Sequence, residues 1–138
     1  MRTRMLTWDR KYEIGIREID HQHQWIFGFC NALEKQLRDK ADDIDIEHIL
    51  HSLADYSRKH FQYEENCMYK RNCPAAADNQ CAHRNFLYAY RNFMERYERE
   101  GQSVELAWKI HDMVEDWIVN HICKIDSQLK ESEITVHV

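Results

Sequence analysis

Proline occurs once among 138 residues, at Pro74, and glycine three times, at Gly15, Gly28 and Gly101. Turns draw heavily on these two residues, so their scarcity argues against a turn-rich sheet and favours long helices. Long apolar runs are missing too. Charges interrupt even A-W-K-I-H-D-M-V-E-D-W-I-V-N-H-I, so no membrane span is expected. The opening M-R-T-R-M-L-T-W-D-R lacks the apolar core of a signal peptide. No C-x-x-C occurs, and five cysteines (Cys30, Cys67, Cys73, Cys81 and Cys123) cannot all pair. Free thiols in a reducing cytoplasm are the expectation.

Apolar side chains make up 43% of the residues, enough for one domain, 1–138, with a real core. The net charge is -5, and the 19 Lys and Arg are scattered rather than gathered into a stripe. Nucleic acid is therefore not the expected partner.

The spacing of apolar residues predicts an all-α fold: an arm over 1–17 and helices over about 18–40, 46–71, 75–100 and 103–130. The first carries Ile19, His23, Ile26, Phe27, Cys30, Leu33 and Leu37 at intervals of three and four. The second aligns Ile49, Leu53, His60, Glu64 and Met68, and Asn72 to Pro74 breaks it. The third aligns Asn79, His83, Phe86, Leu87, Tyr90 and Tyr97, and ends at Gly101. Ser103 is the expected cap of the fourth, which presents Ile110, Val114, Trp117, Ile118, His121 and Ile125. Short connections make sequential helices antiparallel, so the predicted architecture is an up-down-up-down four-helix bundle.

His23, His60, Glu64, His83 and His121 occupy apolar stripes where Leu or Ile would pack. Four residues turn a helix through about 400°, so His60 and Glu64 share a face. Asp126, five after His121, falls well around a regular helix and is not selected by periodicity. One interior histidine is most often a hydrogen-bonded core residue. Four helices each carrying one, with a carboxylate among them, would cost several kcal/mol in desolvation unless paired. A cation satisfies them together, and a nitrogen-rich donor set suits a transition metal such as iron better than calcium or magnesium.

The motifs L-T-W-D, G-I-R-E-I-D-H-Q-H, H-F-Q-Y-E-E, H-R-N-F and W-I-V-N-H-I-C-K-I-D, spread from Trp8 to Asp126, resemble those of the hemerythrins, most closely the single-domain bacterial form. That resemblance implies a four-helix bundle holding two non-haem iron ions and binding dioxygen reversibly. It assigns His23 and His60 to the oxygen-receiving iron and His83 and His121 to the other. Glu64 and Asp126 would bridge the pair alongside a solvent-derived oxygen, while Trp117 and Ile118 would line a dry oxygen pocket. Expected partners are dioxygen or small exogenous anions, with no nucleic acid and no membrane, and the chain is expected to be a monomer. No catalytic residue is implied for an oxygen carrier.

One position departs from the pattern. The family has H-x-x-x-H on the third helix, whereas this chain reads N-Q-C-A-H, with Asn79 in place of the first histidine. Asn79 could ligate weakly through its carbonyl oxygen, water could fill the position, or the second iron could bind poorly. The second option is preferred, since a small polar residue leaves room for water. It predicts fast autoxidation, and it keeps open a di-iron enzyme acting as a peroxidase or oxidase, reacting with peroxide, oxygen or nitric oxide. An iron-storage or stress protein is the third reading.

Other candidates are weaker. Glu18 and His21 form a single E-x-x-H, which a ferritin-like site needs twice. His48 and His51 are expected on helix surfaces and His137 in the tail, while His111 reads either as a group behind the ligands or, by preference, as a helix-surface residue. Cys30 and Cys67, each seven residues after a candidate ligand, should be small core residues. Cys73 falls in the loop before Pro74. Tyr56 and Tyr63 are candidate donors of a proton or electron whose direction the helical phase leaves open.

Overall fold

The computed structural model describes residues 6–126, with side chains as far as Cys123. Four helices form the bundle: α1 (Arg17–Asp39), α2 (Ile46–Lys70), α3 (Ala76–Glu100) and α4 (Val104–Trp117). A π-helical segment, Ile118–Asp126, continues α4, and no strand occurs among the described residues. Each helix packs on its neighbours in sequence, and α4 closes the ring against α1. The predicted bounds lie within about two residues of the starts and ends of α1 to α3. The fourth predicted helix, 103–130, is where observation and expectation part, because its winding changes at Ile118.

Local chemistry sets the ends of the helices. The Asp45 carboxylate caps α2 by accepting from the His48 amide, and the Ser103 hydroxyl caps α4 by accepting from the Leu106 amide. Gly101 ends α3 at φ 79°, a left-handed value that glycine adopts without a Cβ clash. Gln102, next to it, ties two loops together: its Oε1 accepts from the Ile46 amide at 2.7 Å, and its Nε2 donates to the Ile44 carbonyl.

The described part of the arm is anchored at two places. The Asp20 carboxylate accepts from the amides of Ile14 (2.7 Å) and Gly15 (3.0 Å), where the chain turns at φ 92° into α1. Further out, Trp8 meets Phe27 edge-on at 5.3 Å, and the Leu6 amide donates to Asn31.

The main core runs through Ile26, Leu33, Leu50, Leu53, Leu106, Ile110 and Val114, all at or below 4% exposure. The third helix is shallower than its stripe predicts: only Asn79, His83 and Phe86 are fully buried, and Leu87 is 41% exposed. Cys73 lies in the loop before Pro74 as expected, and is buried there with Ile14, Ile19, Met68 and Ala75. Cys30 is buried as expected, Cys67 only partly, and no disulfide joins any of the five cysteines.

Candidate metal centre

At one place in the bundle the core turns polar. His23 comes from α1, His60 and Glu64 from α2, Asn79 and His83 from α3, and His121 from the π segment. All six are buried, with Glu64 completely so.

Glu64 stands at the middle. Its Oε2 faces the Nε2 atoms of His60 at 3.4 Å and His23 at 3.5 Å. Its Oε1 faces those of His83 at 3.0 Å and His121 at 3.6 Å. One carboxylate oxygen thus serves α1 and α2, and the other serves α3 and the end of α4. Burial by itself would raise the Glu64 carboxyl. The His60 charge and hydrogen bonds from His121, His23 and His60 outweigh it and hold Glu64 well below the usual carboxylate range.

Outer partners orient the rings. His83 Nδ1 donates to the Glu65 carboxylate at 2.7 Å, and His60 Nδ1 pairs with the Gln22 amide oxygen. A neutral imidazole that donates from Nδ1 presents a lone pair at Nε2. On His83 that lone pair points at Glu64, an acceptor facing an acceptor, which a cation between them resolves. Aromatic rings pack around the group: Trp117 stacks on His121 (3.8 Å), Phe61 on His83 (4.0 Å) and Tyr56 on His60 (5.2 Å).

The donors fit a metal. Two sets of three buried groups, His23–His60–Glu64 and Glu64–His83–His121, each bring their ligand atoms within 4.8 Å of one another and share Glu64. The Asn79 amide is fully buried and neither its nitrogen nor its oxygen has a hydrogen-bond partner among the described residues. Imidazole-rich ligation selects a transition ion, since calcium and magnesium require mostly oxygen.

Residues 14–131 match the family model described as the hemerythrin HHE cation binding domain. The chain belongs to the hemerythrin family. Membership makes it a non-haem iron-binding protein. It is similar to a bacteriohemerythrin of Stenotrophomonas maltophilia (strain R551-3), 25% identical over 97% of this chain and 84% of that one. A bacteriohemerythrin of Clostridium acetobutylicum is 25% identical over 90% of this chain and 98% of its own length. A myohemerythrin of Sipunculus nudus is 27% identical, with 89% of each chain covered.

Of the residues predicted from this hemerythrin sequence, His23, His60, Glu64, His83 and His121 converge as described. The side chain of Asp126 lies outside the described residues, but the backbone there is informative. In the π segment hydrogen bonds run five residues back, so positions 121 and 126 are about one turn apart. A regular α-helix would leave them about 140° apart. Trp117 and Ile118 are buried, at 7% and 0% exposure. Trp117 and His121 also border a cleft of about 340 Å³ between α3 and α4, whose other walls include Ala82, Phe86 and Met113.

His48 and His51 are exposed, as expected, and so is His21; no helix among the described residues is long and apolar enough to cross a membrane. His111 is a correction: expected chiefly on the surface, it is completely buried, because α4 packs into α1 at that level. Tyr56 turns inward against His60, and Tyr63 is 40% exposed. Helical periodicity did not single out Gln22 or Glu65. Each is adjacent in sequence to a candidate ligand, and in both cases the ring it serves belongs to a different helix.

Proposed function

We propose that the cluster holds two iron ions and binds dioxygen reversibly. The observation that carries this reading is the division of histidines across Glu64, two to each carboxylate oxygen. His23 and His60 would ligate one ion on the Oε2 side, and His83 and His121 the other on the Oε1 side. Glu64 and Asp126 would bridge them together with a solvent-derived oxygen. When bound, the iron pair supplies the electrons that dioxygen takes up and returns.

The chain's own residues do the rest. Gln22 and Glu65 fix the ring orientation of His60 and His83. Trp117, Ile118 and Phe61 exclude water from the centre. Asn79 is too short to replace an imidazole on the second ion, and its amide is positioned on the buried stripe to hold a water there. Such a centre stays open to small exogenous anions. We place the protein in the cytoplasm as a monomer that stores, delivers or senses oxygen.

A second reading rests on Asn79 alone: a vacated ligand position favours redox turnover of peroxide, oxygen or nitric oxide over carriage. Visible absorption of the iron-loaded, reduced protein separates the two. Bands that appear in air and vanish when oxygen is removed support the carrier. Conversion to an oxidised spectrum in a single exposure supports the redox enzyme. A colourless protein that retains no iron refutes both.

A further inference from the structure

A second group of metal-ligating side chains lies along the α1–α4 seam, apart from the Glu64 centre. Glu34 (2% exposed), His111 (0%) and Glu115 (5%) bring one ligand atom each within 4.8 Å of one another. Glu34 is eleven residues beyond His23 on α1, and His111 ten residues before His121, so about 15 Å of helix separates the two clusters. We propose that Glu34, His111 and Glu115 form a separate binding site for one divalent transition ion of the zinc or iron(II) kind.

The hydrogen bonding of His111 repeats that of His83. Its Nδ1 faces the Asp112 carboxylate at 3.0 Å and its Nε2 faces Glu34 Oε1 at 3.1 Å. Both neighbours are carboxylates, and ionised carboxylates only accept. A neutral imidazole has one N–H, so one of its two nitrogens turns a lone pair toward oxygen. If Nδ1 donates outward to Asp112, as histidine ligands commonly do to an outer carboxylate, Nε2 is the free ligand atom and points into the seam. Two ligand atoms each about 2.1 Å from one ion stand about 3.0 Å apart at a right angle and about 3.4 Å apart at a tetrahedral angle, a range that includes the separation from Glu34.

The contacts of Arg38 with Glu34 leave that geometry intact. Arg38 holds the other oxygen of Glu34, with Nη2 3.0 Å and Nε 3.1 Å from Oε2, so Oε1 stays directed at His111. Glu115, one turn after His111 on α4, completes the set from the same face. One imidazole and two carboxylates suit zinc or iron(II) and leave coordination positions for water. The ion would cross-link α1 and α4 in a stretch where Glu64 plays no part, so the inference does not depend on what the Glu64 centre does.

Total iron plus zinc per chain, counted by mass spectrometry after iron loading and dialysis against zinc chloride, tests this. The wild type should hold one ion more than His111→Gln or Glu115→Gln, with the helical content and iron of the Glu64 centre unchanged in all three. The same extra zinc should persist in Glu64→Gln. Because His111→Gln could fail to fold, Asp112→Asn gives an independent reading. Its side chain is 57% exposed, and its loss should weaken zinc binding about tenfold. Equal metal counts in the wild type and the folded Glu115 variant, or zinc affinity untouched by Asp112→Asn, would overturn the site and leave a hydrogen-bonded histidine between carboxylates.

Discussion

Trp117 stacks on His121 with ring centroids 3.8 Å apart and planes 18° from parallel. The two residues are four apart across the junction at which α4 gives way to the π segment. The indole also donates from Nε1 to the Tyr56 hydroxyl at 3.2 Å, and Tyr56 in turn stacks on His60. One side chain therefore shields a candidate ligand, fills the core and braces the ring against a second ligand.

Trp117→Ala should lower stability by about 3 to 5 kcal/mol, the usual cost of removing a buried indole, and should accelerate autoxidation. Trp117→Phe keeps a ring against His121 and loses the donor to Tyr56, which should cost about 1 kcal/mol. Urea unfolding of the iron-loaded protein measures both. An alanine variant as stable as the wild type would contradict the packing role.

Glu65→Gln removes the charge that His83 Nδ1 addresses at 2.7 Å. Iron affinity should fall by about tenfold or more, as for other outer partners of metal-bound histidines. Competition with a chelator reads this directly, and far-UV circular dichroism should be unchanged, since Glu65 is partly exposed.

Asn79→His restores the spacing of two histidines four apart on α3. Autoxidation should slow, and iron should be held more tightly. Stopped-flow decay of the oxygenated spectrum is the measurement, and a rate equal to that of the wild type would remove Asn79 from the explanation.

Removing the metal should destabilise the fold, because a ligand that binds only the folded state adds its binding free energy to stability. Thermal unfolding of iron-loaded and chelator-stripped protein should differ by about 3 kcal/mol or more. In Glu64→Gln most of that difference should disappear, since the carboxylate between all four histidines is gone, leaving only what an ion held by Glu34, His111 and Glu115 contributes.

Much of the centre is legible in the amino-acid sequence. His60 and Glu64 are four apart, and each histidine stands on its helix's apolar stripe, so a period of 3.6 is enough to place them inward. The scarcity of glycine and proline, together with the spacing of the apolar residues and the short connections, points to an all-helical bundle. Asp126 is not legible in this way, because its spacing from His121 matches an α-helix poorly. The π winding from Ile118 changes what a spacing of five means, and periodicity assumes regular winding.

What the sequence by itself determined is the inward set: which residues of each helix belong to the core, and that a carboxylate and four imidazoles lie among them. That information is local, carried by one helix at a time. Only the tertiary structure decided how the helices are rotated and levelled against one another. It put two histidines on each oxygen of Glu64, and it brought Gln22 of α1 to His60 of α2. It also buried His111 against Glu34, 77 residues away in the chain. Contacts of that kind depend on the close packing of whole faces, which no spacing within a single helix encodes.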